Sequence, residues 1–287
     1  MKSENFNFGA KVLNLSEVQV MGVLNVTPDS FSDGGSLHQH GSLNLDKALS
    51  RCAQMLEQGA NIIDVGGEST RPGAEPVSLQ QEMDRVLPVV EAIGQRFDTI
   101  ISVDTSSPEL MLAAATAGAG LLNDVRALTR SGAIAAALET ALPVCLMHMQ
   151  GQPKTMQAQP LAYQDVVAEV ETYLLERARS CEQAGIKREN IVVDPGFGFG
   201  KSVEHNLALL NRLPQLVAKG YPVLAGLSRK SLIGKVLGRD VDQRLAGSLA
   251  LALLAAQRGA SIIRVHDIQE TADALRLMVA VEREAPL

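Results

Sequence analysis

Side chains that accept hydrogen bonds follow four apolar runs in this sequence. Asp64 follows NII, Asp104 ends TIISVD, Asn123 follows GLL and Asp194 ends IVVD. Each of them alone is equally well explained by a structural hydrogen bond to a neighbouring loop. Together in one pocket with apolar walls, carboxylates and a carboxamide suit the N–H edge of a flat, amide-like or guanidine-like heterocycle. The same oxygen atoms can bind metal ions, but no His, Asp or Glu spacing in the chain specifies a zinc or iron site.

Cationic side chains indicate a second kind of chemistry. Arg264 and His266 alternate in the run SIIRVH, so their side chains point the same way on a strand. Two such groups in an apolar strand are costly unless an anion lies at its end. With Asn25 and Arg71 from two long loops, they predict a diphosphate site in which oxygen donors hold Mg²⁺. A lone arginine on such a loop is more often only a surface charge.

A glycine-rich turn follows the apolar run in IVVDPGFGFGK, from Ile191 to Lys201. A phosphate-binding P-loop needs a glycine where this chain has Pro195, so the P-loop motif fails. We expect instead a turn that brings Phe197 or Phe199 beside a flat ligand.

Ser228, Arg229 and Lys230 follow another apolar run, PVLAG. A polar helix start explains them, but a lysine at a helix N-terminus opposes the helix dipole, which mildly favours a functional role. No nucleophile, base and orienting group can be read from the spacing, so covalent catalysis has no support.

The positions of these residues follow from eight apolar runs that alternate with helical patterns. The runs are MGVLN, NIIDVGG, TIISVD, GLLND, PVCLMH, IVVD, PVLAG and SIIRVH. This alternation predicts an α/β fold, a (β/α)8 TIM barrel, as a single domain over residues 1–287 with the barrel at about 18–283. The polar residues then converge at the C-terminal ends of the strands. The connections after the first two strands are much longer than usual, and we expect them to act as lids.

Helix starts are marked by capping residues. Ser78 with Gln81 predicts a capping box for the helix after the second strand. Ser107 followed by Pro108 predicts a capped start for the helix after the third strand.

The composition limits the partners and the compartment. A net charge of −6 disfavours a broad nucleic-acid-binding surface. The longest apolar segment, LAGSLALALLAA, is too short to cross a bilayer, and the polar start MKSENFNFG has no signal-like apolar region. Cys52, Cys145 and Cys181 form no CxxC pair, which is typical of a reduced protein. We therefore expect a cytoplasmic protein without membrane or nucleic-acid partners.

The sequence resembles the bacterial dihydropteroate synthase family of folate biosynthesis from about Val20 to Val281. The segments that carry the resemblance are GVLNVTPDSFSDGG, GANIIDVGGESTRPGA, SVDT, ND, MHMQG, IVVDPGFGFGK, GLSRKS and RVHD. The resemblance implies that a dihydropterin carrying a hydroxymethyl diphosphate condenses with 4-aminobenzoate to give dihydropteroate and diphosphate. It also implies a homodimer and a sulfonamide target, since sulfonamides are the family's 4-aminobenzoate analogues.

The resemblance assigns roles residue by residue. The residues similar to the pterin-binding groups are Asp104, Asn123, Met147, Asp194, Phe199 and Lys230. Those similar to the diphosphate site are Asn25, Arg71, Arg264 and His266, with Asn25 similar to the Mg²⁺ ligand. Those similar to the 4-aminobenzoate pocket are Thr70, Pro72, Ser228, Phe31 and Pro28. The residues implied in catalysis are Asp104, Lys230, Arg264 and His266.

Two other functions are compatible with part of this pattern. A pterin-binding barrel that transfers a methyl group to a corrinoid shares the pterin residues, but it has no use for Arg71, Arg264 and Lys230. A non-catalytic relative that binds pterin is expected to lack part of the loop residues, which this chain retains.

Overall fold

Parallel strands make up most of the sheet structure in the computed structural model, which describes residues 5–27, 38–39, 42–68, 77–151 and 163–285. In chain order the strands are β1 (Asn5–Phe8), β2 (Lys11–Asn14), β3 (Gln19–Asn25), β4 (His38–Gln39), β5 (Ser42–Leu43), β6 (Ile62–Gly66), β7 (Ile100–Asp104), β8 (Leu121–Asp124), β9 (Val144–Met147), β10 (Ile191–Asp194), β11 (Leu224–Ala225) and β12 (Ile262–Val265).

Eight of these strands form the barrel that the sequence predicts. Their order is β10-β9-β8-β7-β6-β3-β12-β11, and every neighbouring pair is parallel. The two outer strands meet where Val193 N donates to Pro222 O over 2.9 Å, with a parallel bridge from Val193 to Val223. This contact closes the sheet, so the prediction of a (β/α)8 barrel is confirmed.

Alternate side chains along each barrel strand face the interior and the surrounding helices. On β6, Ile62 belongs to the apolar cluster inside the barrel, whereas Ile63 packs with the outer layer. Ile262 and Ile263 divide in the same way on β12. The interior side chain two residues further along a strand is therefore polar on both, Asp64 on β6 and Arg264 on β12. The strand alternation itself brings these groups together inside the ring.

An antiparallel hairpin of β1 and β2 closes the N-terminal end of the barrel, and the sequence did not predict it. Phe6 and Phe8 are buried in the same interior cluster, with ring centroids 4.8 Å apart. A Cβ on Gly120, directly before β8, would lie 3.0 Å from Phe8 O. The barrel is thus filled by apolar side chains at this end and polar at the other.

Helices surround the barrel. They are α1 (Leu45–Glu57), α2 (Leu79–Arg96), α3 (Pro108–Thr116), α4 (Ala133–Thr140), α5 (Val166–Ala184), α6 (Val203–Asn211), α7 (Leu213–Val217), α8 (Ser231–Leu237), α9 (Leu245–Gln257) and α10 (Ile268–Arg283). Within the residues described, no helix has the length and apolar character needed to cross a membrane.

The predicted helix starts are confirmed in position, but one cap differs in chemistry. The capping box of Ser78 and Gln81 is present at α2. At α3 the helix begins at Pro108, yet the Ser107 side chain does not cap it. The Ser107 hydroxyl donates to Glu82 instead, over 3.0 Å. The Ser107 oxygen in turn accepts from Arg130 Nη1 over 3.2 Å, so the hydroxyl is engaged by two charged side chains rather than by the helix N–H groups.

The first two connections are long, as the sequence predicts. β3 ends at Asn25 and α1 begins at Leu45, with the short pair β4 and β5 between them. β6 ends at Gly66 and α2 begins at Leu79. Residues 28–37, 40–41, 69–76 and 152–162 lie outside the described part of the chain.

Candidate active site

A cleft opens at the C-terminal ends of the barrel strands. Its lining consists of Asp104, Asn123, Val125, Met147, Asp194, Phe197, Phe199, Gly226, Ser228, Lys230, Arg264 and His266. Acidic and amide groups come from β7, β8 and β10, while Lys230 follows β11, Arg264 lies on β12 and His266 follows β12. The cleft therefore combines hydrogen-bond acceptors with cations and two aromatic rings.

A fully buried carboxylate, Asp64, lies beneath the cleft and joins its acidic and basic sides. Asp64 accepts from Ser102 Oγ over 2.6 Å and from Arg264 Nε over 2.7 Å. Asn123 Nδ2 lies 3.3 Å from both Asp64 oxygens. Because an ionised carboxylate only accepts, the amide nitrogen of Asn123 faces Asp64 and its carbonyl oxygen is left for the cleft.

Arg264 bridges two carboxylates. Besides Asp64, it donates from Nη2 to Asp104 Oδ2 over 3.3 Å. Burial alone would lower the pKa of Arg264, but the charges of Asp64 and Asp104 raise it above its usual value. Burial, and then the charge of Asp64, raise the pKa of Asp104. The guanidinium is thus a permanent cation, while Asp104 is a carboxyl group that binds a proton more readily than usual.

Asp194 and Lys230 face each other across the lining. Asp194 Oδ1 accepts from Gly196 N over 2.7 Å, and burial raises the pKa of this carboxyl group. Burial and the charge of Arg264 lower the pKa of Lys230 to about 8. Lys230 Nζ lies 4.2 Å from the centre of the Phe199 ring, a cation–π contact. Asp194 therefore offers a hydrogen-bond acceptor, Lys230 a donor and Phe199 a flat apolar surface.

The segment from Pro195 to Gly200, which we call the glycine loop, lies close to the end of β9. Gly196, Gly198 and Gly200 have φ values of 65°, 84° and 62°. A Cβ on Gly196 would lie 1.9 Å from the carbonyl oxygen of His148, a separation that no side chain tolerates. Glycine is therefore required at this position both for its backbone conformation and for space.

The imidazole of His266 is oriented by Ser228. The Ser228 Oγ accepts from His266 N over 3.2 Å and lies 3.1 Å from His266 Nδ1. Burial and the positive charge of Arg264 lower the pKa of His266 to about 3, so the ring is neutral. A hydroxyl that already accepts the main-chain N–H has its own proton left for Nδ1. This arrangement leaves the Nε2–H of His266 as a donor.

The structure brings most of the predicted site residues together. Those that line the cleft are Asp104, Asn123, Met147, Asp194, Phe199, Ser228, Lys230, Arg264 and His266. Asn25 is not part of the cleft lining but lies beside it. A Cβ on Gly66 would be 3.6 Å from Asn25 Oδ1 and 3.9 Å from Asp104 Oδ2, so Asn25 and the cleft residue Asp104 both approach Gly66. Pro28, Phe31, Thr70, Arg71 and Pro72 lie outside the described residues.

Two buried ionisable groups near the cleft, Glu82 and Lys201, had no predicted role. Glu82 accepts from Thr105 and Ser107, which directly follow Asp104 in the chain. Lys201 is 8% exposed and lies behind the glycine loop. Asp64, expected from the sequence to be one of the acceptors for a flat heterocycle, does not line the cleft: it is fully buried, and its oxygens accept from Ser102, Arg264 and Asn123 instead. In the sequence, Glu82 is only an acidic residue on an amphipathic helix, which does not indicate a buried role. Lys201 is only a lysine that follows a glycine-rich turn, which does not indicate one either.

Comparison with known proteins shows which family the sequence matches and which solved structures share the fold. The chain matches the family described as pterin binding enzyme over residues 21–266. A dihydropteroate synthase of Haemophilus influenzae is 56% identical over 270 residues, covering 94% of this chain and 96% of the relative. The structure of Yersinia pestis dihydropteroate synthase with a sulfonamide drug has a TM-score of 0.92 and 50% identity, covering 98% of this chain and 100% of that one. The Xanthomonas albilineans dihydropteroate synthase with 4-aminobenzoic acid has a TM-score of 0.90 and 48% identity, covering 98% of both chains.

Proposed function

The chain belongs to the pterin binding enzyme family, and from that membership we propose that it catalyses the dihydropteroate synthase reaction of folate biosynthesis. In this reaction the amine of 4-aminobenzoate attacks the methylene carbon of hydroxymethyl-dihydropterin diphosphate. A C–N bond forms, the C–O bond to the diphosphate breaks, and the electron pair leaves with the diphosphate. The amine loses one proton, and the organic product is dihydropteroate.

One observation carries this proposal: three acceptor groups converge on the floor of the cleft beside a lysine. Asp104, Asn123 and Asp194 line the same cleft as Lys230. The pyrimidinone edge of a pterin carries several N–H donors and a carbonyl acceptor, so acceptor side chains and one ammonium group match it. The Asn123 carbonyl oxygen faces the cleft because its amide nitrogen is engaged by Asp64. The ring packs between Met147 and Phe199.

The diphosphate is placed at the cationic side of the cleft. Arg264 and His266 line it, and His266 offers the neutral Nε2–H donor described above. Preorganised donors and cations stabilise the charge that develops on a leaving diphosphate, and electrostatic stabilisation of this kind is often the largest catalytic term. Arg71, which lies outside the described residues, is proposed as a further ligand.

Mg²⁺ is proposed as the cofactor, with Asn25 as its protein ligand. In proteins Mg²⁺ commonly keeps several waters and binds one or two side-chain oxygens together with substrate phosphates. Asn25 ends β3, and its Oδ1 lies near Asp104 of β7, so this oxygen fits such a site. The described residues contain no cluster of three or more His, Cys, Asp or Glu able to hold a metal alone, so the diphosphate is the proposed source of further oxygen ligands. When bound, the ion neutralises charge on the diphosphate.

The remaining groups act on the reacting carbon and on the second substrate. An electron-rich dihydropterin can stabilise a positive methylene, and Asp104 in its ionised form favours that cation. The aryl amine needs no base before it attacks. Substitution of Asp104 by Asn is expected to lower kcat at saturating pterin, and an unchanged kcat in a variant that still binds pterin would contradict this role. Ser228 is proposed at the 4-aminobenzoate pocket with Thr70, Pro72, Phe31 and Pro28, which lie outside the described residues; sulfonamides are proposed to compete there.

A homodimer is proposed because exposed apolar side chains gather on neighbouring helices. Leu277 and Val281 on α10 are 68% and 69% exposed, and Leu254 on the adjacent α9 is 37% exposed. Residues of this type are typical of a face that a second copy covers. Sedimentation of the wild type and of Leu277→Glu tests this: a dimer that dissociates in the variant supports it, and a monomeric wild type contradicts it.

A cytoplasmic location is proposed from the thiols. All three cysteines are free and buried, as expected in a reducing compartment.

The proposed reaction is tested by measuring diphosphate release from the activated pterin. The assay is run with both substrates, without 4-aminobenzoate, and after removal of Mg²⁺ by a chelator. We expect rapid release only with both substrates and Mg²⁺, and restoration when Mg²⁺ is added back. Equally rapid release without 4-aminobenzoate would mean that water, and not the amine, is the acceptor, and it would contradict the proposal.

A further inference from the structure

The ammonium group of Lys201 lies behind the glycine loop and outside the cleft lining. Its Nζ is 2.9 Å from His148 Nδ1, 2.9 Å from Gly196 O and 3.0 Å from Phe199 O. The carbonyl oxygen of His148 is slightly further away, at 3.2 Å. Burial lowers the pKa of Lys201 to about 7, and in its protonated form the group has three N–H donors, which matches the three nearest acceptors.

We propose that Lys201 is a positioning residue for the pterin subsite, whose ammonium group holds the glycine loop against the end of β9. This inference rests on the proposed function, because it concerns how the same cleft is shaped. Lys201 does not line the cleft and contacts no proposed ligand. It acts through the residues that it holds.

The glycine loop depends on side chains outside itself for its shape. It contains three residues with positive φ, and one of its internal main-chain bonds runs from Phe199 N to Gly196 O over 3.1 Å. On one side Asn206 Oδ1 accepts from Gly198 N over 2.7 Å. On the other side Lys201 donates to the carbonyl groups of Gly196 and Phe199. The Asn206 amide thus holds the loop at the Gly198 N–H, and the Lys201 ammonium group holds it at the carbonyl groups of Gly196 and Phe199.

His148 supplies the fixed end of this arrangement. Burial and the positive charge of Lys201 lower the pKa of His148 to about 3, so its ring is neutral and Nδ1 can accept. The ring also meets Tyr173 edge to face, with centroids 4.9 Å apart. His148 N donates to Asp194 O over 2.9 Å, which joins β9 and β10 at the same level. Lys201 therefore links the loop to a part of the barrel that other contacts already hold in place.

The positions of Asp194 and Phe199 follow from the conformation of this loop. Gly196 donates its N–H to Asp194 Oδ1, and its carbonyl oxygen accepts from Lys201. Phe199 lies over Lys230 with its ring, and its carbonyl oxygen also accepts from Lys201. Loss of the ammonium group removes the Lys201 donor from His148 Nδ1 and Phe199 O and leaves Gly196 O with the Phe199 N–H alone, and unpaired buried groups favour a different loop conformation. The carboxylate and the ring then lose the arrangement that fits a pterin.

Lys201→Met is the direct variant, because methionine has a similar length and no donor. Lys187→Met is its control, since Lys187 is exposed and the same charge is removed. We expect the dissociation constant for hydroxymethyl-dihydropterin, measured by calorimetry, to rise about 10- to 100-fold in Lys201→Met, the equivalent of one lost charged hydrogen bond. Lys187→Met should match the wild type. The KM for the pterin substrate should rise in parallel, while kcat at saturation changes less than about threefold because Lys201 contacts no reacting atom.

The outcomes separate this inference from the proposed function. Wild type that does not bind the pterin contradicts the proposed function itself. Wild type that binds while folded Lys201→Met binds equally tightly overturns the positioning role alone. If Lys201→Met does not fold, the ring of His148 in the wild type provides the test by nitrogen-15 NMR. We expect an unprotonated Nδ1 and a protonated Nε2, and a proton on Nδ1 would overturn the inference, because that nitrogen could not then accept from Lys201.

Discussion

Arg264 Nε donates to Asp64 Oδ2 over 2.7 Å, although the two residues are 200 positions apart in the chain. Asp64 has no exposed surface, and Arg264 is 23% exposed at the cleft. The pair therefore fixes the position of a cleft cation from below. Asn123 Nδ2 donates to the same carboxylate. The buried charge of Asp64 therefore holds both Arg264, a proposed diphosphate ligand, and Asn123, a proposed pterin ligand.

Asp64→Asn should disturb both sides of the cleft. Arg264 Nε and Asn123 Nδ2 then compete for one amide oxygen, and the guanidinium loses its nearest charge. Removing one partner of a buried ion pair costs about 3 kcal/mol or more, so we expect the free energy of unfolding to fall by about that amount and kcat/KM to fall about 100-fold. Ser102→Ala removes one hydrogen bond to the same carboxylate and should cost only about 1 kcal/mol. An Asp64→Asn variant with wild-type kcat/KM would refute this role.

Asp194→Asn should weaken pterin binding specifically. Its Oδ1 is engaged by Gly196 N, so the second oxygen is left for the ligand. An asparagine that keeps the first contact presents an NH₂ group where a pterin N–H is proposed, and two donors then face each other. We expect the dissociation constant for the pterin to rise about 100-fold. Asp98→Asn, at a side chain that is 98% exposed, is the control and should bind normally. Equal binding by both variants is the result that speaks against the proposed contact.

The depressed pKa of His148 predicts a difference in acid stability. In the unfolded chain the group takes up a proton below its ordinary pKa of 6.5, whereas in the folded protein it does so only near about 3. Protons therefore favour the unfolded state over this range, and His148 costs stability as the pH falls below 6.5. His148→Asn keeps an acceptor near the position of Nδ1 and does not titrate. Relative to this variant, the wild type should lose about 2 kcal/mol between pH 7 and pH 5 in urea unfolding. Parallel curves for the two proteins would exclude the depressed pKa.

The hairpin of β1 and β2 should affect stability and leave the chemistry unchanged. Phe8 is 1% exposed and fills the end of the barrel opposite the cleft. Phe8→Ala should lower the free energy of unfolding by about 3 to 5 kcal/mol, as for a large cavity. Val12→Ala on the adjacent strand, where the side chain is 54% exposed, should change it by less than about 0.5 kcal/mol. Below the unfolding transition, the KM values of both variants should equal those of the wild type, and altered KM values in Phe8→Ala would show that the hairpin reaches the cleft.

The sequence predicts the barrel and much of its cleft for a simple geometric reason. Parallel strands in a closed ring place the ends of all their apolar runs at one face, so Asp104, Asn123 and Asp194 converge whatever the details of packing. The resemblance to a family then adds Met147, whose type alone specifies nothing, and selects Phe199 from the two rings, Phe197 and Phe199, that the glycine-rich turn predicts.

Contacts that depend on strand register or on unusual backbone conformations were not predictable. The position of β3 between β6 and β12 follows from the predicted barrel, but the register that brings Arg264 to Asp64 across β3 is not encoded in local patterns. The role of Lys201 follows from carbonyl groups that converge only because three glycines adopt positive φ. The two short strands of the hairpin, with only Phe6 and Phe8 as buried side chains on the first, carry too weak an alternation to distinguish from a polar terminus.

The central claim is that this cleft transfers the pterin methylene to nitrogen by breaking its C–O bond. The most direct test uses hydroxymethyl-dihydropterin diphosphate with oxygen-18 in the bridging position, turned over with 4-aminobenzoate and analysed by mass spectrometry. We predict that the label leaves entirely with the diphosphate and that dihydropteroate is formed in equal amount. Label retained on a hydroxymethyl-pterin product would mean that a P–O bond was broken, and it would contradict the account.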